Sequence, residues 1–240
     1  MTMRFFVDFP LITGTELNLP PSAARHAQVL RVQPGDPLLL FDGTGRDWAA
    51  QVLQMGKQQV RVSVGAAQAV DKELALEVTL ALVMPANERM DSLVEKACEL
   101  GVAGVQPLMS ERSVLRLVGE RAQRKQAHWQ AVAQAACEQC GRAKVPVIAP
   151  VMSLLAWLSS LESDPAQTRW LLSLQPGARR LSALAPATTR VCTLSGPEGG
   201  FSADEEQLAL RCGFQPVDLG PRVLRADTAP LAVLAWLALR

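Results

Sequence analysis

The chain has 240 residues, 49% of them hydrophobic and 20% charged, with a formal net charge of +1. That length and apolar content suffice for one large or two modest globular cores, and so small a net charge argues against a uniformly basic surface. Five cysteines, at positions 98, 137, 140, 192 and 212, are an odd number scattered along the chain, which excludes a secreted disulfide framework and fits a reducing cytoplasm. The opening stretch Met1 to Asp8 is too short before its acid to read as a signal peptide. The most apolar run, Ala229 to Leu239, is too short to span a bilayer, so no membrane role is expected.

The first seventy residues carry short β-type runs at Arg4 to Val7, Leu38 to Phe41, Trp48 to Leu53 and Gln59 to Val64. Turn signals at Pro34-Gly35-Asp36 and Asp42-Gly43-Thr44-Gly45 separate them. One helix interrupts the pattern, started by Pro20-Pro21-Ser22 and carrying His26, Val29 and Leu30. This part reads as a small β-rich barrel, and the polar segment Ala66 to Lys72 reads as a linker to a second domain, giving expected domains 1–72 and 73–240.

From Leu74 onward strands alternate with helices, the pattern of a mostly parallel sheet in an α/β domain. The expected elements are a strand at Leu76 to Val83, a helix at Arg89 to Leu100 closed by Gly101, a strand at Val105 to Met109 and a long helix from Gly119 to Cys140. An extended piece at Val145 to Ile148 and buried strands at Trp170 to Leu174 and Val191 to Leu194 follow. Ser202, with Glu205 three residues on, predicts a capping box and a helix that ends at Cys212-Gly213. A strand at Gln215 to Leu219 then leads to a last helix capped by Asp227 or Thr228, whose first turn tolerates Pro230.

Two loops stand out because each sits where an apolar strand ends and a helix begins: Ser195 to Ser202 (SGPEGGFS) and Leu219 to Ala229 (LGPRVLRADTA). In α/β proteins ligands bind at such junctions. Gly196, Gly199 and Gly200 expose main-chain groups to a flat ring and permit positive φ. The spacing is neither a P-loop, since no Lys-Ser/Thr follows, nor Gly-x-Gly-x-x-Gly. Cys137-x-x-Cys140 lies in a helical pattern without a second Cys pair or His cluster, so no metal site is expected. Between Arg112 and Lys144 seven basic residues face two acids, a local charge of +5 that reads either as a track for a phosphate backbone or as a solvated helix face.

The segments Gly196 to Ser202, Leu219 to Arg225 and Asp227-Thr228-Ala229 resemble the signature of the RsmE family, bacterial methyltransferases that modify a uridine of 16S rRNA at N3. Met90 to Val102 (MDSLVEKACELGV), Glu111-Arg112-Ser113 and Glu138-Gln139-Cys140-Gly141-Arg142 resemble its central motifs. Arg4-Phe5-Phe6, His26, Val29-Leu30-Arg31 and Gly35-Asp36 resemble its N-terminal module. The resemblance implies a PUA-like RNA-binding β-barrel followed by a SPOUT α/β domain with a deep trefoil knot, S-adenosylmethionine as methyl donor, and a cytoplasmic homodimer acting on 16S rRNA within the assembled 30S subunit. Carried over residue by residue, the donor contacts fall on Leu174, Gly196, Glu198, Gly199, Gly200, Leu219, Gly220, Leu224, Arg225, Thr228 and Ala229, and the RNA contacts on Arg4, His26, Arg31, Arg112, Arg142 and Arg222. Two departures stand in this chain: Ala86-Asn87 where relatives carry Lys-Gly, and Cys140 in place of Ser.

Methylating uridine N3 requires loss of the N3 proton, helped by a base or by a cation that stabilises the developing anion at a uracil carbonyl. Arg225 and Arg142 are the candidate cations and Glu138 and Glu198 the candidate bases. Glu198 can instead serve the dipole of the Ser202 helix, and Arg142 can cap backbone after Gly141. Two other readings stay open, a SPOUT enzyme with another RNA target such as tRNA, and a non-catalytic RNA-binding protein.

Overall fold

The computed structural model describes residues 2–57, 59–86 and 89–239. It divides into two compact units, Met1–Glu73 with Gln134–Val145, and Leu74–Ala133 with Pro146–Arg240. The segment Gln134–Val145, expected in the second domain, thus belongs with the first.

In the first unit the elements are β1 (Met3–Phe6), β2 (Glu16–Asn18), α1 (Pro21–Val29), β3 (Pro37–Phe41), β4 (Arg46–Met55) and β5 (Val60–Ala69). The strands form one sheet in the order β1-β3-β4-β5-β2, antiparallel except for β1 beside β3. Strict alternation explains β5: Val60, Val62 and Val64 are buried while Arg61 is exposed, so one face meets the core and the other water. Helix α1 covers that core with Ala23, Ala24 and Ala27, whose short side chains let it approach closely. The linker expectation needs correction. Strand β5 continues through Ala66 to Ala69, with Ala67 opposite Trp48 and Ala69 opposite Arg46, because β4 extends beyond an irregularity between Trp48 and Ala50 and offers further main-chain partners.

The second unit holds β6 (Glu77–Val83), α2 (Arg89–Glu99), β7 (Gly104–Met109), the start of α3 (Gly119–Cys140), β8 (Val147–Ile148), β9 (Met152–Ser153) and α4 (Leu154–Ser160). After these come β10 (Gln167–Leu172), β11 (Arg179–Arg180), β12 (Arg190–Ser195), α5 (Ala203–Arg211), β13 (Gln215–Asp218) and α6 (Thr228–Ala238). Its strands make a parallel sheet ordered β11-β13-β10-β12-β6-β7-β8, with β9 also beside β7. Cys192 and Leu194 point to one layer with Trp157, Leu158 and Phe214, while α6 and α2 pack together and α6 also meets β6 and β12. Both layers are apolar, which is why β6 and β12 read as continuous hydrophobic runs.

Helix ends follow their chemistry. The capping box at Ser202 and Glu205 is present in full, and Gly213 closes α5 at φ +83°. Asp227 occupies the position before α6, yet its backbone is helical and its side chain makes no capping bond, so the expected cap is absent. Cys137 and Cys140 lie one turn apart at the end of α3. A hydrogen bond with Cys137, together with burial, raises the Cys140 thiol well above its ordinary range, and no metal-holding cluster occurs among the described residues.

Candidate functional site

At the carboxyl ends of β10, β12 and β13 the second unit opens a cavity of about 500 Å3. This is the crevice expected of a parallel sheet at the place where chain order reverses, since β12 lies between β10 and β6 while β13 lies outside β10. Both glycine-containing loops line it. Leu174, Gly196, Glu198, Gly200, Leu219, Gly220, Leu224, Arg225 and Ala229 all contribute, as do Arg112 and Arg222; Gly199 and Thr228 do not.

Three glycines shape the walls. A Cβ on Gly196 would stand 3.2 Å from the Phe201 ring, so only glycine leaves that ring undisturbed. Gly200 has φ +67° in the turn closed by its amide donating to Pro197 O at 2.9 Å, and Gly220 has φ +120°. The amide of Gly220 donates to Asp218 Oδ1 at 2.8 Å, and Asp218 Oδ2 in turn pairs with Arg180 Nε at 2.8 Å, which sets the loop after β13.

Side chains brace the other loop. Glu198 Oε1 accepts from the Ala86 amide at 3.0 Å and faces Arg89 at 3.6 Å, so this carboxylate ties the loop after β6 to the loop after β12. Of the departure Ala86-Asn87, Asn87 lies outside the described residues. Arg112 donates to Gly199 O at 3.0 Å, and Glu205, besides its capping role, accepts from the Glu111 amide at 2.7 Å. Arg222 and Arg225 are exposed at the cavity and have no ion-pair partner among the described residues. Leu174 and Val223, 70% and 78% exposed, give the rim an apolar surface suited to a ring.

The remaining candidates, Arg4, His26, Arg31, Glu138 and Arg142, sit in the first unit, and all but Arg31 have their side chains engaged there. Arg4 is largely buried: its guanidinium pairs with Asp47 at 2.6 Å, donates to Cys137 O at 2.8 Å and lies over the Phe41 ring. It caps the carbonyl end of α3, the site of the helix's partial negative charge. Arg142, only 4% exposed, is bound through its guanidinium to Glu73. Glu138 accepts from the Phe6 amide at 2.9 Å and meets His26 Nδ1 at 3.1 Å. Neither Arg142 nor Glu138 lines the cavity, and their polar atoms hold the end of α3 to β1 and to Glu73. Arg31 is exposed, with the one positive φ of a non-glycine residue among those described, +55°. In the second unit, His128 pairs with Asp91 at 2.7 Å, an anchor shared with the indole of Trp129.

Sequence reasoning passed over Ser173, Gln175 and Glu206, which also line the cavity. Glu206 lies in the first turn of the capping-box helix, and Ser173 follows directly on β10, so both positions were locatable even though no motif marked them.

Comparison with known proteins agrees with this geometry. Residues 72–238 match the model of the RNA methyltransferase domain, and residues 19–65 that of the RNA methyltransferase PUA domain. A Synechocystis protein named ribosomal RNA small subunit methyltransferase E is 33% identical over 98% of this chain and 77% of its own length. The crystal structure of a ribosomal RNA small subunit methyltransferase E from Neisseria gonorrhoeae bound to S-adenosyl methionine superposes with TM-score 0.91 at 37% identity, covering 98% of this chain and 96% of that one. A Legionella pneumophila protein described as a methyltransferase in complex with SAM gives TM-score 0.93 at 32% identity, covering 99% and 97%. The first sheet is accordingly a PUA-like domain and the parallel sheet a SPOUT-type domain. A chain that matches both family models and aligns with these relatives over nearly all its length belongs to the RNA methyltransferase family of the ribosomal RNA small subunit methyltransferase E proteins.

Proposed function

We propose that this chain transfers a methyl group from S-adenosylmethionine to N3 of one uridine in 16S rRNA, acting in the cytoplasm as a homodimer on the assembled 30S subunit. The observation that carries the reading is the cavity between the two glycine-containing loops, with Arg225 at its mouth. The residues fit the donor. Gly196, Gly200 and Gly220 keep main-chain groups bare on the walls, and the buried Ser195 hydroxyl lines the cavity without a hydrogen-bond partner among the described residues. Leu219, Gly220, Leu224 and Ala229 would hold the adenosyl part by backbone and apolar contact, with Gly196 and Gly200 opposite. When bound, the donor supplies an electrophilic methyl group.

The protein's own task is then to present N3 as an anion and hold it in line. Arg225, a cation without an ion-pair partner among the described residues, stabilises negative charge at a uracil carbonyl as N3 gives up its proton to water. Arg112 and Arg222 bring phosphates to the same mouth, and the exposed Arg31 extends the RNA contact in the PUA-like domain. The trefoil knot belongs to this reading through the family. A homodimer is supported by α6, which carries no charge: its Pro230, Val233, Leu234 and Leu237 are buried, whereas the opposite stripe of Leu231, Ala232, Ala235 and Leu239 is left partly or fully exposed.

The test is to incubate the purified protein and S-adenosylmethionine with 30S subunits that lack the modification and to map reverse-transcription stops. An N3 methyl blocks the pairing edge of uracil, so one new donor-dependent stop at a single uridine near the 3′ end of 16S rRNA is expected. Donor binding without a stop in 16S rRNA overturns the assigned target.

A further inference from the structure

Among the side chains of the cavity, Glu206 is the least accounted for. Its Oε1 accepts the Ser173 hydroxyl proton at 2.6 Å. That hydroxyl is oriented from its other side, because Ser173 Oγ accepts from the Gln175 amide at 3.1 Å. Ser173 is itself buried and bound through its amide to Val217 O at 3.0 Å, so the hydroxyl is a fixed donor and Glu206 is held in one place. The second oxygen, Oε2, has no partner among the described residues. Glu198, the other carboxylate of the cavity, is already occupied by the Ala86 amide and faces Arg89. Arg112, Arg222 and Arg225 line the same cavity without forming an ion pair with Glu206.

A half-buried carboxylate held by one oxygen and open to the cavity through the other is a ready acceptor for a hydrogen-bonding cation, and such charge-assisted bonds are stronger than neutral ones. On the reading that the cavity takes S-adenosylmethionine, the ligand offers two positive centres. The sulfonium has no N–H to donate; the α-ammonium of the methionyl end has three. We infer that Glu206, oriented by Ser173, is the acceptor for that α-ammonium group. Glu206 is then a donor-binding residue and Ser173 a positioning residue, and together they select ligands that carry an amino-acid end over bare adenosyl thioethers.

Calorimetric titration of the full chain with S-adenosylmethionine, S-adenosylhomocysteine and 5′-methylthioadenosine tests the assignment, because the last lacks the amino-acid end but keeps the adenosyl part. Glu206→Gln should weaken the first two alike, by about tenfold or more, and leave methylthioadenosine unchanged; Ser173→Ala should do the same by a few fold. Unchanged methylthioadenosine binding also reports that each variant keeps its cavity. Loss for all three ligands would point to the ribose or to cavity collapse, and loss for S-adenosylmethionine alone to the sulfonium. Either result, or no loss at all, overturns the inference. A wild-type chain that binds none of the three would remove the donor reading itself, and this inference with it.

Discussion

Gly220 offers a direct measure of how far backbone geometry builds the site. Its φ of +120° lies where side chains with a Cβ are strained, while a Cβ placed there would meet only Arg180 Nη1 at 3.8 Å, an ordinary contact. The cost of Gly220→Ala is therefore conformational rather than steric, about 2 kcal/mol if the loop holds its shape. In a protein of this size that lowers the melting temperature by roughly 4–8 °C. If the loop relaxes instead, the amide that donates to Asp218 turns away and the cavity wall between Leu219 and Leu224 moves with it. Gly213→Ala is the matched control, since Gly213 also has positive φ, +83°, with nothing within 4 Å of the added Cβ, but ends α5 and does not line the cavity. Thermal unfolding and calorimetric titration with S-adenosylmethionine should show both variants destabilised and only Gly220→Ala weakened in donor binding, by about tenfold, the equivalent of 1.4 kcal/mol. Equal donor affinity in the two variants would refute the argument that this loop conformation forms the wall.

Arg225→Ala should lower turnover on 30S subunits by about a hundredfold or more, with Arg225→Lys between it and wild type; near-normal turnover by a folded alanine variant would discard the charge-stabilising role. Glu73→Ala leaves the buried Arg142 guanidinium without its carboxylate and should cost about 3 kcal/mol in urea unfolding, whereas a loss below about 1 kcal/mol would show that the pair is not a structural tie. Arg31→Gly removes a side chain held at φ +55°, so stability should rise by about 1 kcal/mol while the salt dependence of RNA binding falls by about one phosphate contact. A destabilised variant, or an unchanged salt slope, would count against that account.

Periodicity and capping chemistry located most of the α/β elements, because a helix that buries one stripe or a strand buried on both faces must write that pattern into consecutive residues. Ser202 and Glu205 are the clearest example, with both bonds of the box present. Short elements escaped. Strand β2 has three residues and β9 and β11 two each, too few to show a period, and α4 spans seven between turn-like neighbours. The continuation of β5 was hidden by Gly65 and alanines, which read as a linker until β4 is placed beside them.

For the site, local sequence determined the glycine loops, since positive φ and close backbone approach call for glycine whatever surrounds it. It also determined the apolar character of α6 and the strand-loop-helix order that puts both loops at carboxyl ends of strands. The destinations of charged side chains were decided only by tertiary structure. Arg4 and Arg142 carry the same charge as Arg222 and Arg225, yet the first two, like Glu138, are bound to the end of α3, to β1 or to Glu73, while the last two stand exposed at the cavity. The physical reason is range: a backbone conformation depends on neighbours in the chain, whereas the partner of a long charged side chain is whatever group the fold brings within hydrogen-bonding distance, as Glu206 meets Ser173 across 33 residues.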